Sequence, residues 1–307
     1  MRIRVLGAAA GGGFPQWNCN CPTCRRAWAG EVPTQTQASL AVSADGQSWL
    51  LLNASPDLRA QILATPPLHP REPGRASPIA AVVLTNGDVD AIAGLLVLRE
   101  SQPLALYATQ RVLDVLAANS IFNVLDPHHV ERRALAVGAP SDLTAKDGRA
   151  LGLQIEPFIV PGKVALYLED AAVEQSLAQR SQDTIGLAIS APATGKRLYY
   201  IPACAALDEE LRARLHAAPL VFFDGTLWQD REMVEAGLGT KTGRRMGHLS
   251  VSGADGTIAA FATLGVKRKF FIHINNTNPM LCPDSPEHAA VVVAGWEVAR
   301  DGLEITL

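Results

Sequence analysis

The sequence predicts an α/β fold in which two mixed β-sheets pack together and helices cover their outer faces. Short apolar runs, often rich in β-branched side chains, alternate with stretches that have helical periodicity. Two parts of the chain each open with adjacent strand-like runs and then alternate with helices, the order expected for helix-covered sheets. No repeat or low-complexity linker divides residues 1–307, and we therefore expect a single domain.

The elements behind this prediction are short. The strand-like runs are Ile3 to Leu6, Ser39 to Ser43, Trp49 to Asn53, Ala80 to Thr85, Leu104 to Ala108, Leu153 to Val160, Thr184 to Ser190, Arg197 to Ile201, Leu220 to Phe223, Lys269 to Ile274 and Leu303 to Leu307. The helical patterns are Asp57 to Leu63, Ala91 to Arg99, Thr109 to Ala118, Asp208 to Ala217, Ala254 to Ala262 and Pro286 to Ala294. Two segments without periodicity, Pro66 to Pro78 and Ala139 to Gly148, are interpreted as connections.

The overall composition excludes some classes of partner. The 307 residues are 48% hydrophobic and carry a formal net charge of -3, which gives no basic surface for nucleic acid. No apolar run approaches the roughly 20 residues that span a bilayer. The apolar stretch after Arg4 is short and runs into Gly11-Gly12-Gly13, so it predicts a strand and loop rather than a signal peptide. We expect a cytoplasmic protein.

Three cysteines within six positions form the most specific chemical signal. Cys19, Cys21 and Cys24 follow a glycine-rich bend, and this spacing lets three thiolates converge on one metal ion. A disulfide across Cys-x-Cys would close a strained ring. The pattern predicts a structural zinc ion whose fourth ligand comes from elsewhere, with His273 and Asn276 as the candidates. Three free thiols in a surface loop are the alternative interpretation.

A second signal lies where a predicted strand ends and a helix begins, at residues 84–95. This turn is similar to the His-x-His-x-Asp-His turn of metallo-β-lactamase-fold hydrolases. The matching positions are Thr85, Asp90 and Gly94, whereas the three histidines are replaced by Asn86, Asp88 and Ala91. Asp88 and Asp90 are also well placed simply to cap the following helix.

Further motifs extend the similarity over essentially the whole chain. With the cysteine loop and the Asp88/Asp90 turn, they resemble the pyrroloquinoline quinone (PQQ) biosynthesis protein B family. They are Asn53 to Arg59, Val160 to Leu168, Ile201 to Ala205, Asp224 to Trp228, Met246-Gly247-His248 and His273 to Pro279.

The resemblance implies a four-layer αββα sandwich, the metallo-β-lactamase fold, and a role in PQQ biosynthesis. The activity assigned to the family is an iron- and oxygen-dependent hydroxylation of the tyrosine-derived ring of a cross-linked Glu-Tyr precursor. An older proposal makes the family a non-catalytic carrier that helps PQQ or an intermediate reach the periplasm. The partners implied are this small acidic molecule and other PQQ-pathway enzymes. A homodimer is compatible with the sequence.

The candidate active site combines residues from distant motifs. They are Asp88, Asp90, Asp224, His248 and His273, and a 2-His-1-carboxylate iron site can be drawn from His248, His273 and one of the first two aspartates. Lys163, Arg244 and Arg245 are the candidate partners of substrate carboxylates. The loss of the histidine motif disfavours a third function, a metal-dependent phosphodiesterase, because two-metal hydrolysis needs more ligands than remain.

Overall fold

The computed structural model describes residues 1–168 and 181–307, which form two seven-stranded mixed sheets. The strands of the first sheet run in the spatial order β14-β1-β2-β3-β4-β5-β6 and those of the second in the order β13-β12-β11-β10-β9-β8-β7. The first sheet is built from β1 (Arg2–Gly7), β2 (Ser39–Ser43), β3 (Trp49–Leu52), β4 (Ile79–Val83), β5 (Leu104–Ala108), β6 (Val130–Ala134) and β14 (Glu304–Thr306). The second is built from β7 (Ser141–Thr144), β8 (Ala150–Ile159), β9 (Ile185–Ala191), β10 (Lys196–Ile201), β11 (Val221–Asp224), β12 (Lys269–Ile272) and β13 (Glu297–Val298).

The helices of the described residues are short. They are α1 (Pro22–Trp28), α2 (Leu58–Ala64), α3 (Val89–Ile92), α4 (Gln110–Ala118), α5 (Glu209–Leu215), α6 (Glu232–Glu235), α7 (Thr257–Phe261) and α8 (Pro286–Val293). Within residues 1–168 and 181–307, no helix is both long enough and apolar enough to cross a membrane.

Each sheet has an antiparallel half and a parallel half. The strands β3 to β6 are mutually parallel, and so are β10 to β13. The carboxyl ends of parallel strands lie at one edge of a sheet, where ligand sites of α/β proteins commonly form. This topology therefore brings the turns after β4, β11 and β12 to the edges of their sheets.

Alternation along the strands explains the four layers. Phe222 and Phe270 face inward and stack with ring centroids 5.0 Å apart, in a core that includes side chains of both sheets. Their neighbours Phe223 and Phe271 face outward, into a second core with residues of α5, α7 and α8. A third core packs α2, α3 and α4 against the first sheet. Because successive strand residues point to opposite faces, strands covered on both sides are apolar throughout. The predicted αββα sandwich is confirmed.

The structure corrects several predicted elements. The segment Ala139 to Gly148, interpreted as a connection, contains β7, while β6 and β13 were missed. The predicted helix Ala91 to Arg99 is one turn of α-helix followed by a 3₁₀ helix, Ala93–Leu98. The α-helix ends because the Gly94 amide donates to the carbonyl oxygen of Ala54 at 2.8 Å instead of continuing the helix, and a Cβ at Gly94 would lie 2.1 Å from the carbonyl oxygen of Ser55. The chain can pass so close only as glycine.

Asp301 joins the C-terminal segment to the first sheet and predicts a pH-dependent stability. Its carboxylate accepts hydrogen bonds from the backbone of Ala8 at 3.2 Å and from the amide and hydroxyl of Thr36 at 2.8 and 2.7 Å. Burial outweighs these bonds and raises the pKa of Asp301 to about 6. The folded protein therefore holds this proton more tightly than the unfolded chain does. As pH rises from 4.5 to 7, the contribution of Asp301 to the free energy of unfolding falls by about 2 kcal/mol.

The measurement is urea unfolding of the wild type and of Asp301→Asn between pH 4.5 and 7. The wild-type free energy of unfolding should fall relative to the variant as pH rises. Asp45 provides the control, because burial raises its pKa but hydrogen bonds from Ser48, Gln47 and Ser43 outweigh burial, and its net pKa is lowered. The contribution of such a carboxylate is complete above its unfolded pKa, so the difference between the wild type and Asp45→Asn should stay nearly constant from pH 4.5 to 7 and shrink only below about pH 4. A pH-independent difference for Asp301→Asn would contradict the prediction.

Candidate functional site

Turns from both sheets meet in one cluster of polar side chains. Asp90 lies in α3, after β4 of the first sheet, while Asp224 ends β11 and His273 follows β12 of the second. His248 comes from the loop after Gly247, which adopts φ 86°. The structure thus brings together four of the five residues that the sequence predicted for the active site, and Asp88 lines the cavity beside them.

Asp224 is the buried anchor of this cluster, with 0% of its side chain exposed. One of its oxygens, Oδ2, accepts a hydrogen bond from the Cys204 amide at 2.9 Å and lies 2.7 Å from Nδ1 of His248. The other, Oδ1, accepts from the amide and hydroxyl of Thr226 at 3.0 and 2.6 Å. Asp224 therefore orients His248 from behind and leaves the Nε2 side of that ring for a ligand.

His273 is held between the two sheets. Its Nε2 lies 2.8 Å from Oδ2 of Asp90, and its Nδ1 lies 2.9 Å from the Thr226 hydroxyl. The backbone of His273 adopts φ 58°, which lets its side chain face the cluster while Ile274 pairs with Ala8. Such a conformation costs a non-glycine residue about 1–3 kcal/mol and is concentrated at functional sites. The rings of His248 and His273 stack with centroids 5.3 Å apart.

The contact between His273 and Asp90 changes the pKa of both groups. Burial lowers the pKa of His273, but the hydrogen bond and negative charge of Asp90 outweigh it and the net pKa is raised. Burial raises the pKa of Asp90, and the same hydrogen bond reverses the direction to a lowered pKa. An unprotonated imidazole nitrogen and a carboxylate oxygen are both acceptors, so Nε2 of His273 must either donate a proton to Asp90 or share a cation with it.

A cavity of about 510 Å³ opens above this cluster. Its wall combines the acidic Asp88 and Asp90 with Lys163 and Lys241, and with apolar surface that includes Met233 and Met246. Lys163 stands where the sequence predicted a substrate contact, whereas Lys241 was not predicted. The side chain of Lys163 passes under Gly247, where a Cβ would lie 3.0 Å from its Cγ.

Arg244 and Arg245 were predicted beside Lys163 but do not line this cavity. They border a neighbouring cavity of about 620 Å³, which shares His248 with the first. Their 3₁₀ turn, Arg244–Met246, ends at the left-handed Gly247, where the chain reverses direction before His248. Proximity in sequence to His248 therefore does not place the two guanidinium groups over the carboxylate cluster.

The cysteine loop forms a second cluster. The sulfur atoms of Cys19, Cys21 and Cys24 lie within 4.8 Å of one another, and Cys21 begins helix α1 as its N-cap. The side-chain amide of Asn276 lies against all three sulfurs, with Nδ2 at 3.2 Å from Cys19, 3.8 Å from Cys21 and 3.2 Å from Cys24. The Thr23 hydroxyl donates to the Asn276 carbonyl at 2.5 Å, which joins the loop to the segment that carries His273.

This geometry distinguishes between His273 and Asn276, the two candidates for the fourth zinc ligand. Both ring nitrogens of His273 face the other cluster, at Thr226 and Asp90. Asn276 instead presents its amide to the sulfurs, and a 180° rotation of the amide would exchange Nδ2 for the ligating oxygen Oδ1. Of the two, only Asn276 is directed at the cysteine cluster.

The chemistry of both donor sets fits a metal ion. Burial raises the pKa of Cys24 to about 12, while hydrogen bonds from Thr23 and the Cys24 backbone outweigh burial and lower the pKa of Cys21. The thiols of Cys21 and Cys24 therefore differ in how readily they lose a proton. A divalent cation bound between these close sulfurs would deprotonate them fully. In the first cluster, one ligand atom each from Asp224, His248 and His273 lie within 4.8 Å of one another, and Oδ2 of Asp90 lies 2.8 Å from Nε2 of His273. Two histidines and a carboxylate are therefore close enough to form a 2-His-1-carboxylate set.

The comparisons with known proteins agree with this geometry. Residues 48–274 match the model of the Beta-lactamase superfamily domain. A coenzyme PQQ synthesis protein B from Xanthomonas campestris pv. campestris is 57% identical over the whole of both chains. The crystal structure of Zn(2+)-bound PqqB from Methylobacterium extorquens is 50% identical, covers both chains completely and superposes with a TM-score of 0.94. A diphosphatase of the PhnP family, 20% identical over 99% of this chain and 97% of its own with a TM-score of 0.68, shares the fold.

The two helix-covered sheets and the polar cluster at the ends of their strands define a metallo-β-lactamase-fold protein. Identity above 50% over the full length identifies the branch of this fold. The chain belongs to the coenzyme PQQ synthesis protein B family.

Proposed function

We propose that this protein acts in PQQ biosynthesis as an iron- and oxygen-dependent hydroxylase of the tyrosine-derived ring of the cross-linked Glu-Tyr precursor. The observation that supports it best is the arrangement of His248, His273 and Asp90. Both histidines line one cavity, and Oδ2 of Asp90 lies 2.8 Å from Nε2 of His273. Two histidines and one carboxylate with open positions are the ligand set of non-haem iron oxygenases.

The residues of the chain divide the work around that centre. A ferrous ion bound there would supply dioxygen activation. Asp224 and Thr226 hold the two rings in place from the buried side, at 2.7 Å from His248 and 2.9 Å from His273. Their rigid support fixes ligand orientation without occupying the cavity. Met233 and Met246 contribute apolar surface to the cavity wall.

The cavity also fits the proposed substrate in charge and size. Lys163 and Lys241 line it together with apolar side chains, so an aromatic body that bears carboxylates finds cations and apolar surface in one place. An ammonium group pairs with a carboxylate as a point charge, without the bidentate geometry of arginine. Arg244 and Arg245, in the adjoining cavity across His248, serve in this proposal for the outer carboxylates of the precursor.

The cysteine cluster has a structural role in this proposal. Cys19, Cys21 and Cys24 hold one zinc ion, and Oδ1 of Asn276 completes the tetrahedron. Four protein ligands leave no open position for substrate, which is typical of structural zinc. The zinc would tie the cysteine loop to the segment after β12 and so support the position of His273.

The test is metal analysis followed by oxygen uptake. Protein purified without chelators, and then loaded anaerobically with Fe(II), should contain one zinc and one iron per chain. With an added two-electron reductant such as ascorbate, which is needed to reduce the second oxygen atom to water, addition of the Glu-Tyr-derived amino acid should start oxygen consumption that requires both iron and substrate, and the product mass should increase by one oxygen atom. Stoichiometric iron without substrate-dependent oxygen uptake would contradict the hydroxylase.

A carrier is the second candidate, and a specific observation favours it. The turn after β4 has Asn86, Asp88 and Ala91 where hydrolases of this fold have histidines, so few metal ligands remain. A carrier would contain zinc but no iron, and would bind PQQ or its precursor in the same cavity without consuming oxygen. Calorimetric titration of the zinc-only protein with each molecule, combined with the oxygen measurement, separates the two functions.

A further inference from the structure

Thr226 lies at the centre of the histidine cluster, although only its neighbour Asp224 was predicted as a site residue from this motif. Its hydroxyl oxygen is 2.6 Å from Oδ1 of Asp224, 2.9 Å from Nδ1 of His273, 3.0 Å from Nδ1 of His248 and 3.0 Å from the carbonyl oxygen of His273, which is a more distant acceptor than Asp224. The residue is buried, with 4% of its surface exposed. A hydroxyl has one proton to donate and two lone pairs that accept, so the direction of each contact can be assigned.

The shortest contact determines the others. Two oxygens 2.6 Å apart require a proton between them, and the carboxylate of Asp224 accepts from backbone amides on both of its oxygens. The Thr226 hydroxyl therefore donates to Asp224. Because the only hydroxyl proton of Thr226 is donated to Asp224, Oγ1 of Thr226 can only accept a hydrogen bond from His273. Nδ1 of His273 must then be the donor.

We infer that Thr226 is a positioning residue that transmits the acceptor character of Asp224 to His273. Asp224 takes the Nδ1 proton of His248 directly through Oδ2, at 2.7 Å, and takes that of His273 indirectly through the threonine hydroxyl. One buried carboxylate thereby fixes the Nδ1–H form of two histidines. Both rings turn Nε2 away from Asp224 as a result. The inference rests on the proposed metal site only for the consequence that these Nε2 atoms are ligands.

The geometry also explains why a hydroxyl is needed at this position. The Thr226 amide donates separately to Asp224 at 3.0 Å, so a valine would keep the backbone contact and the shape of the side chain. It would leave the Nδ1 proton of His273 without its acceptor. A serine would restore the hydroxyl without the methyl group. Thr226→Val and Thr226→Ser are therefore a matched pair that separates the hydrogen bond from packing.

The experiment records the ring N–H protons of histidine by NMR on ¹⁵N-histidine-labelled protein that keeps its cysteine-bound zinc and contains no iron, with His248→Gln and His273→Gln for assignment. We expect slowly exchanging Nδ1–H signals from both residues in the wild type and in Thr226→Ser. In Thr226→Val the His273 signal should be lost to exchange with water, while the His248 signal is retained by Asp224. A protected Nδ1–H of His273 in Thr226→Val, or its absence from folded Thr226→Ser, would overturn the inference.

A second readout connects the inference to the metal site. Cobalt(II) affinity, followed by visible absorption, should fall about 10- to 100-fold in Thr226→Val, the range found when the hydrogen-bond partner of a metal-bound histidine is removed. In Thr226→Ser the affinity should stay within about threefold of the wild type. Unchanged affinity in Thr226→Val would count against the positioning role. If the wild type binds no cobalt at this cluster, the proposed oxygenase fails, and the NMR result alone decides the role of Thr226.

Discussion

Replacing Cys24 with serine is expected to remove the zinc from the purified protein and to lower its free energy of unfolding by about 3 kcal/mol or more. Cys24 has 0% exposure and lies in the core between the second sheet and its helices. A serine hydroxyl there is a poor zinc ligand and a buried polar group with few partners, which by itself costs about 1–3 kcal/mol. Because the ligands must be held together by the fold, the zinc binding energy contributes directly to folding.

The measurements are zinc per chain by elemental analysis and guanidinium unfolding of the same samples. Cys204→Ser is the matched control, because Cys204 is equally buried but lies outside the cysteine cluster. It should keep one zinc per chain. A Cys24→Ser protein with a full complement of zinc would show that the three sulfurs do not form the metal site.

Loss of zinc should also reach the first cluster. The Thr23 hydroxyl and the Asn276 amide connect the cysteine loop to the segment that begins at His273, and Ala10 pairs with Ile274 beside it. Without zinc, the cysteine loop gives less support to this segment, in which His273 adopts φ 58°. We therefore expect the zinc-free protein to bind a metal ion at His248, His273 and Asp90 more weakly, although none of these proposed ligands is changed.

The features predicted best from sequence are those that depend on local pattern. Strands covered on both faces show as continuous apolar runs such as Phe270 to Ile272, and the spacing of Cys19, Cys21 and Cys24 is itself a metal signature. The family resemblance added the four-layer αββα order of the sandwich. By contrast, β7 is polar, and its pairing with β8 depends on residues that come later in the chain.

The cluster itself was predictable only in part. The acidic residues and histidines stood out because few other residues perform metal or proton chemistry. The role of Thr226 depends on contacts with residues 22 and 47 positions away, which no local pattern reveals. The prediction that Arg244 and Arg245 line the same cavity as Lys163 was wrong for the opposite reason. Both residues lie close to His248 in the sequence, but the turn at Gly247 directs them to the neighbouring cavity. Sequence chemistry identified the ligand types, and topology decided which of them meet.

Changing Asp90 to asparagine should abolish metal binding at the proposed His248–His273–Asp90 site and leave the cysteine zinc site intact. Asparagine has the same shape but no charge, and the carboxylate is the only anionic member of the His248–His273–Asp90 set. We expect the affinity for Fe(II) or cobalt(II) to fall by about 100-fold or more, which corresponds to about 2.7 kcal/mol. The zinc content should remain one per chain, because the Asp90 side chain contacts His273 and not the sulfurs.

The matched control is Asp88→Asn, because the sequence offered both aspartates as candidates. Asp88 lines the cavity two residues earlier, at the N-cap of α3, and its side chain makes no capping hydrogen bond. Anaerobic titration calorimetry with Fe(II) on both variants compares a proposed ligand with a residue of the cavity wall. The Asp88 variant should bind within about threefold of the wild type if Asp90 is the ligand, because a change of charge on the cavity wall acts only through partly screened electrostatics. If the two results were exchanged, the carboxylate ligand would be Asp88, and the contact between His273 and Asp90 would serve only to orient the ring.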